Sequence, residues 1–126
     1  MPTPDTFDYA AAVANLKRRF EKRRNERLAL HEKASRDCAA IVKMIIADYK
    51  PTRIYQWGSL LRPEQFDENS DIDIAVEGVS EPGAWFAMLG KAMDMTSFPL
   101  DIVDIDKIEP AHVDSIRNRG VIVYEK

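Results

Sequence analysis

Apolar positions repeat along this chain with two different periods, and the period changes near Pro51. Before it, Phe7, Ala10, Val13, Leu16 and Phe20 recur three and four residues apart. Leu28, Cys38, Ile41, Val42, Ile45, Ile46 and Tyr49 fall at the same helical spacing. No proline or glycine interrupts the chain between Pro4 and Pro51, and the composition there is rich in strong helix formers. One long helix, or two separated by a kink, is expected over roughly residues 6–49. Asp5 or Thr6 would cap its start, and Pro51 stops it because the residue before a proline is driven out of the α region.

After residue 52 the alternation shortens to two. Arg53-Ile54-Tyr55-Gln56-Trp57 is β-branched and aromatic and stops at Gly58, as a strand does. Residues 60–69 read as a short helix or loop, and Asp71 to Val76 alternates strictly as a second strand. A loop carrying Pro82 precedes a helix from Ala84 to Met95 with Trp85, Met88, Leu89 and Met93 turned inward. Phe98 to Ile105 is a third strand, with Pro99 marking its beginning or a sheet edge. A helix from Glu109 to Arg119 has Pro110 in its first turn, and Val121 to Tyr124 is the last strand. The fold class is α+β, or mixed α/β: about four strands in a mixed sheet flanked by helices, with a long N-terminal helical arm.

Charge divides the chain at the same place. Residues 1–50 hold 11 Lys+Arg and 7 Asp+Glu, a balance of +4; residues 51–126 hold 7 and 14, a balance of −7; the sum is the overall −3. The basic excess concentrates in residues 17–27, which are too charged for a core. A basic helical arm over residues 1–27 and a folded domain over residues 28–126 are therefore expected. The run 17–27 fits a solvated helix face, a contact with an acidic partner helix or a second copy of the chain, or nucleic acid; the acidic balance of the whole chain argues against the last. A length of 126 residues sets one domain as the starting expectation. Cys38 is the single cysteine, which excludes an internal disulfide and reads as a buried, inert thiol. No apolar run is long enough to span a membrane and no secretory leader pattern opens the sequence, so a cytoplasmic location is expected.

The chemistry lies in the acidic part. Asp71 and Asp73 stand two apart on a strand and project from one face, while Ile72, Ile74 and Val76 take the other. Two carboxylates so close either raise one pKa or take a cation between them. Asp101, in the apolar strand Leu100 to Ile105, would complete a set of three if that strand neighbours the second; Asp104 and Asp106 are its rivals. Converging carboxylates suit magnesium beside a nucleotide phosphate, and two ions would serve both the attacking and the leaving oxygen. The competing reading is that Asp71 and Asp73 form the wet face of an antiparallel sheet. Gly58-Ser59 allows close backbone approach to phosphate, and Arg62 offers a fork of donors to it. His31 and His112 lie far apart in sequence and read as surface or capping residues, which leaves Ser59 without a hydrolase triad. Dinucleotide and P-loop glycine patterns do not occur.

Trp57-Gly58-Ser59-Leu60-Leu61-Arg62, Ser70-Asp71-Ile72-Asp73-Ile74-Ala75-Val76 and Leu100-Asp101-Ile102-Val103 together resemble the DNA polymerase β-like nucleotidyltransferase superfamily. More closely, they resemble the minimal nucleotidyltransferases, the MntA-like partners of HEPN-domain proteins. The ending from Asp114 to Tyr124 is similar to that group's final helix and Gly-Val-x-x-Tyr strand. The resemblance covers about residues 52–126. It implies a nucleotidyltransferase-type fold, with Asp71, Asp73 and Asp101 as catalytic and metal-holding residues and Gly58, Ser59, Arg62 and Ser70 holding the nucleotide. It also implies two Mg2+ ions, ATP as substrate, and AMP transfer to a HEPN toxin by a protein acting as its antitoxin. Where the family often has Arg-Ala-Arg-Gly after Gly-Ser, this chain has Leu60-Leu61-Arg62-Pro63. Two other functions compete: a catalytically weak or inactive module that neutralises a partner by contact, and a small-molecule-modifying nucleotidyltransferase, for whose extra substrate domain this sequence has no room.

Overall fold

The structure, a computed structural model, describes residues 7–126. Helix α1 runs unbroken from Tyr9 to Tyr49. Its 41 residues span about 60 Å at 1.5 Å per residue. The expected caps, Asp5 and Thr6, lie outside the described residues. Asp8 fills that role, accepting a hydrogen bond from the Ala11 N–H at 2.9 Å. Lys50 ends the helix in the left-handed region, at φ 48°, where the chain must turn immediately before Pro51.

Four strands follow: β1 (Arg53–Trp57), β2 (Ile72–Glu77), β3 (Leu100–Asp104) and β4 (Val121–Glu125). They lie in the order β3-β2-β1-β4. β1 pairs antiparallel with both β2 and β4, and β2 pairs parallel with β3. The parallel pair is joined by helix α2 (Pro82–Met93), and β3 is joined to β4 by helix α3 (Pro110–Arg119). Between β1 and β2 the chain makes two single-turn 3-10 helices, Gly58–Leu61 and Pro63–Gln65.

Alternation along the strands builds a different layer on each face. Ile54, Ile72, Ile74 and Val76 point into the main core, against Ala34, Cys38, Ile41, Met44 and Ile45 of α1 and Met88 and Ala92 of α2. Full burial of each large aliphatic chain stabilises the fold by about 1.5–3 kcal/mol. Cys38 is buried there, and burial pushes its thiol up to about 11, so it stays protonated and unreactive. On the other face Tyr55 and Ala75 pack with Ile105 and with Ile116 of α3.

Three expectations needed correction. α2 begins at Pro82 rather than Ala84, because Glu81 serves as its cap, accepting from the Gly83 and Ala84 N–H groups; proline is well suited to the first position it then occupies. Met93 is 64% exposed at the end of α2, and Ala92 takes the inward place beside Met88. Asp71 lies just before β2, which starts at Ile72.

The two halves of α1 differ in what they cover. Tyr9, Val13, Leu16 and Phe20 are each at least half exposed, and residues 17–26 are exposed throughout. Contacts with the rest of the protein include an exposed Arg24–Glu64 pair at 3.4 Å and His31 Nε2 at 2.7 Å from the Leu60 carbonyl. No helix among the described residues is long and apolar enough to cross a membrane.

Candidate active site

Strand register brings the acids together. Asp73 of β2 lies beside Asp101 of parallel β3, and on its other side beside Trp57 of β1. Trp57, Asp73 and Asp101 thus form one row across the sheet, on the face that α3 only partly covers. Asp71 precedes Asp73 by two residues at the same end of β2 and is exposed. Asp73 is 8% exposed. Its carboxyl is raised to about 6 by burial first, then by the negative charges of Asp101 and Asp71. Asp73 thus lies within electrostatic reach of both other carboxylates. A group perturbed by burial together with specific charged neighbours, beside a cleft, is a candidate functional group.

The Gly-Ser turn lies directly on Asp73. Gly58 has φ +79°, and a Cβ built there would overlap Asp73 Oδ2 and come within 2.9 Å of its Cγ. A side chain is therefore excluded twice, by backbone conformation and by the carboxylate beneath. Ser59 is half-buried, and its carbonyl accepts from the Arg62 N–H at 2.9 Å, closing the turn. From the opposite side, His31 holds the turn through the Leu60 carbonyl and sets its ring edge-on to Phe66, centroids 5.7 Å apart.

Ser70 is placed differently. Its hydroxyl accepts from the Asp67 N–H at 3.0 Å and lies 3.4 Å from Asp67 Oδ1, so it closes the turn before β2. The rival acids also have structural work. Asp104 lies on the opposite face of β3 from Asp101; its Oδ1 accepts from the Asp106 N–H, and Asp106 Oδ2 accepts from the Gly78 N–H.

Beside the acids a cleft of about 440 Å³ opens between the Gly-Ser turn and α3, lined by Trp57, Gly58, Arg62, His112, Ser115 and Arg119, with Leu61 and Ile116 as its apolar part. His112, expected as a surface or capping residue, stands edge-on to Trp57 with ring centroids 5.7 Å apart. Trp57, His112, Ser115 and Arg119 were absent from the sequence-based site. The signal available for three of them was spacing: 112, 115 and 119 share one helix face.

The fit to a metal can be judged from the donors. Among the described residues, no group of three acidic, cysteine or histidine side chains stands assembled as a cation cage. Yet the Asp73 carboxylate is nearly buried, two further carboxylates raise its proton affinity, and no side-chain ion pair among the described residues neutralises it. A divalent cation with oxygen preference would neutralise such a donor set. Asp71, Asp73 and Asp101 therefore fit a divalent ion chemically, two of the three by register.

Comparisons with known proteins bear on the family and the fold. The profile of the polymerase beta nucleotidyltransferase family matches residues 40–126. A structure described as a toxin-antitoxin with AMP-PNP superimposes with a TM-score of 0.56 at 23% identity, covering 69% of this chain and 73% of that one. The toxin-antitoxin MntA-HepT gives 0.56 at 21% identity, with 73% of each chain covered. At these identities the likeness is one of fold. No curated protein matches the chain in sequence.

Proposed function

The chain belongs to the polymerase beta nucleotidyltransferase family, and from that premise we propose that it transfers AMP from ATP to a hydroxyl group of a HEPN-type toxin and acts as that toxin's antitoxin. The observation that carries this reading is the register of Asp73 with Asp101 beneath Gly58. Two solved structures of the same fold are described as toxin-antitoxins, one of them with AMP-PNP, and these support the choice of nucleotide and partner.

In this reading Asp71, Asp73 and Asp101 hold Mg2+, two ions in the family's pattern. Bound there, magnesium would neutralise the acids and polarise the phosphate for attack. The protein's own groups do the rest. Gly58 lets the backbone approach the phosphates, and Ser59 and Arg62 donate to them. Asp101 receives the proton of the acceptor hydroxyl, whose oxygen bonds to the α-phosphorus. The bond from that phosphorus to the bridging oxygen breaks, and pyrophosphate leaves. With labelled ATP, magnesium and the partner, label is expected on the partner with wild type. Asp73→Ala should reduce transfer by at least about a hundredfold, given several kcal/mol of lost charge stabilisation. Absence of transfer by wild type, with no magnesium-dependent ATP binding, sinks the reading.

A second reading draws on the Leu60-Leu61-Arg62-Pro63 loop, which departs from the family's pattern after Gly-Ser: a module that neutralises its partner by contact alone. Neutralisation that survives the Asp71→Ala, Asp73→Ala double change would favour it.

A further inference from the structure

The outer half of α1 carries a patterned surface that the domain leaves uncovered. Tyr9, Val13, Leu16 and Phe20 are 69%, 50%, 51% and 62% exposed. They follow one another at intervals of four, three and four residues, the spacing of a coiled-coil seam. Single exposed apolar residues are ordinary, whereas a contiguous stripe marks a contact surface. The family match begins at residue 40, so this half of the helix lies outside it.

The rims of the stripe are basic. At 3.6 residues per turn, Lys17 and Arg24 border it on one side and Arg19 and Arg23 on the other, all four exposed. Residues 17–27 hold seven Lys+Arg and two Asp+Glu, a balance of +5. Arg24 pairs with Glu64 at 3.4 Å, but an exposed pair of this kind contributes little.

Position and charge together select what covers the stripe. Eighteen residues make five helical turns, so Leu16 and Phe20 stand in line with Ala34 and Cys38, which are buried in the core beneath α1. The stripe therefore looks toward the side on which the domain sits. A bilayer laid flat on it would run into the domain, and a nucleic-acid backbone gains nothing from four apolar side chains. A single helix, about 10–12 Å across, fits that corner. A parallel second copy would set +5 against +5. An antiparallel one, overlapping along the stripe, would face Lys17 to Arg19 with Ala10 to Ala12 and leave the cations unmatched. Carboxylates on both flanks of the incoming helix satisfy both rims.

We infer that the outer half of α1 docks an acidic amphipathic helix of a partner protein. Its apolar residues lie along Tyr9 to Phe20, and its carboxylates face Lys17, Arg24, Arg19 and Arg23. Seated there, it reaches within one turn of the Arg24–Glu64 contact, beside the Pro63–Gln65 turn that follows the Gly-Ser loop. The inference goes beyond the transfer reaction and stands without it.

The test uses the full chain, without nucleotide, and two synthetic helical peptides of about three heptads. Both carry leucine at the seam; one has glutamate and the other lysine at the flanking positions. By fluorescence anisotropy wild type should bind the glutamate peptide, more weakly as salt rises, and not the lysine peptide. Leu16→Ala with Phe20→Ala should weaken binding at least about tenfold, as loss of central anchors does; alanine keeps the arm helical, so the loss reports contact. Lys17→Glu with Arg23→Glu should reverse the preference between the peptides. The inference is overturned if wild type ignores the glutamate peptide, if the lysine peptide binds equally, or if the alanine variant binds like wild type. A wild-type dimer in sedimentation that the alanine variant loses would assign the stripe to a second copy. Binding to phosphatidylserine–phosphatidylcholine vesicles lost in that variant would assign it to a membrane. Either result also overturns the inference. A peptide preference that holds while AMP transfer fails would remove the transfer reading alone.

Discussion

The two faces of the sheet are made by the same strands and have opposite characters. From β2, Ile72, Ile74 and Val76 go to one side, where α1 and α2 seal them from water. Asp73 and Ala75 go to the other, where α3 covers Ala75 but leaves the end of the strand beside an open cleft. A period of two is enough to separate a stabilising surface from a chemical one. The sealed face is apolar apart from Asp104 at the end of β3, which is buried and whose Oδ2 has no hydrogen-bond partner among the described residues. The open face carries a buried carboxylate held against two like charges, a local loss of stability of the kind active sites tolerate.

The difference predicts opposite responses to substitution on adjacent positions. Ile74→Ala, on the sealed face, should destabilise by about 2–5 kcal/mol through lost burial and the cavity left behind, measured by urea unfolding. Asp73→Asn, one residue away, should stabilise the metal-free protein at neutral pH. The Asp73 carboxyl is raised from 3.8 to about 6 in the folded state, so the folded protein keeps a proton that the unfolded chain has released. Its contribution is therefore most favourable below pH 3.8, declines as pH rises to about 6, and stands as a full cost above that. That cost is on the order of 2–3 kcal/mol. In EDTA, unfolding measured across that window should show the slope in wild type and a flatter line in Asp73→Asn. A stability unchanged by Asp73→Asn at pH 8 would erase the contrast between the faces.

Smaller effects sharpen the boundary between the faces. His31 lies on α1, within the sealed side, yet reaches the Gly-Ser turn through the Leu60 carbonyl. His31→Ala should cost about 1–2 kcal/mol and also weaken ATP binding, because the turn above Asp73 loses its tether. Smallest is the outer half of α1, where Leu16 and Phe20 are 51% and 62% exposed. Replacing both with serine should change domain stability by no more than about 0.5 kcal/mol. A larger loss would show that the arm packs on something the isolated fold does not reveal.

Much of this was readable in the sequence, for physical reasons. The alternation in Asp71 to Val76 specifies a strand with one wet and one dry face, and the unbroken run before Pro51 specifies a helix. Asp101 is the choice for the third acid, on its apolar strand and on the resemblance, but Asp104 and Asp106 stay as rivals because facing Asp73 depends on register between strands 28 residues apart: the pairing of Asp73 with Asp101 is a tertiary fact. The cleft was hidden for the same reason. His112, Ser115 and Arg119 share a helix face, but only the crossing of α3 onto the second face of the sheet sets them opposite Trp57. Met93 failed as an inward residue because it is the last residue of α2 and Ala92 takes the inward place beside Met88.

The central claim is that the open face binds a magnesium nucleotide through its paired acids, and a thermal-unfolding comparison tests it most directly. With MgATP at about a hundred times its dissociation constant, a ligand binding only the folded state adds about 2.7 kcal/mol. Wild type should melt at a visibly higher temperature with MgATP than without it, and an Asp73→Asn, Asp101→Asn protein should not respond. An equal rise in both proteins, or none in wild type, would contradict the claim.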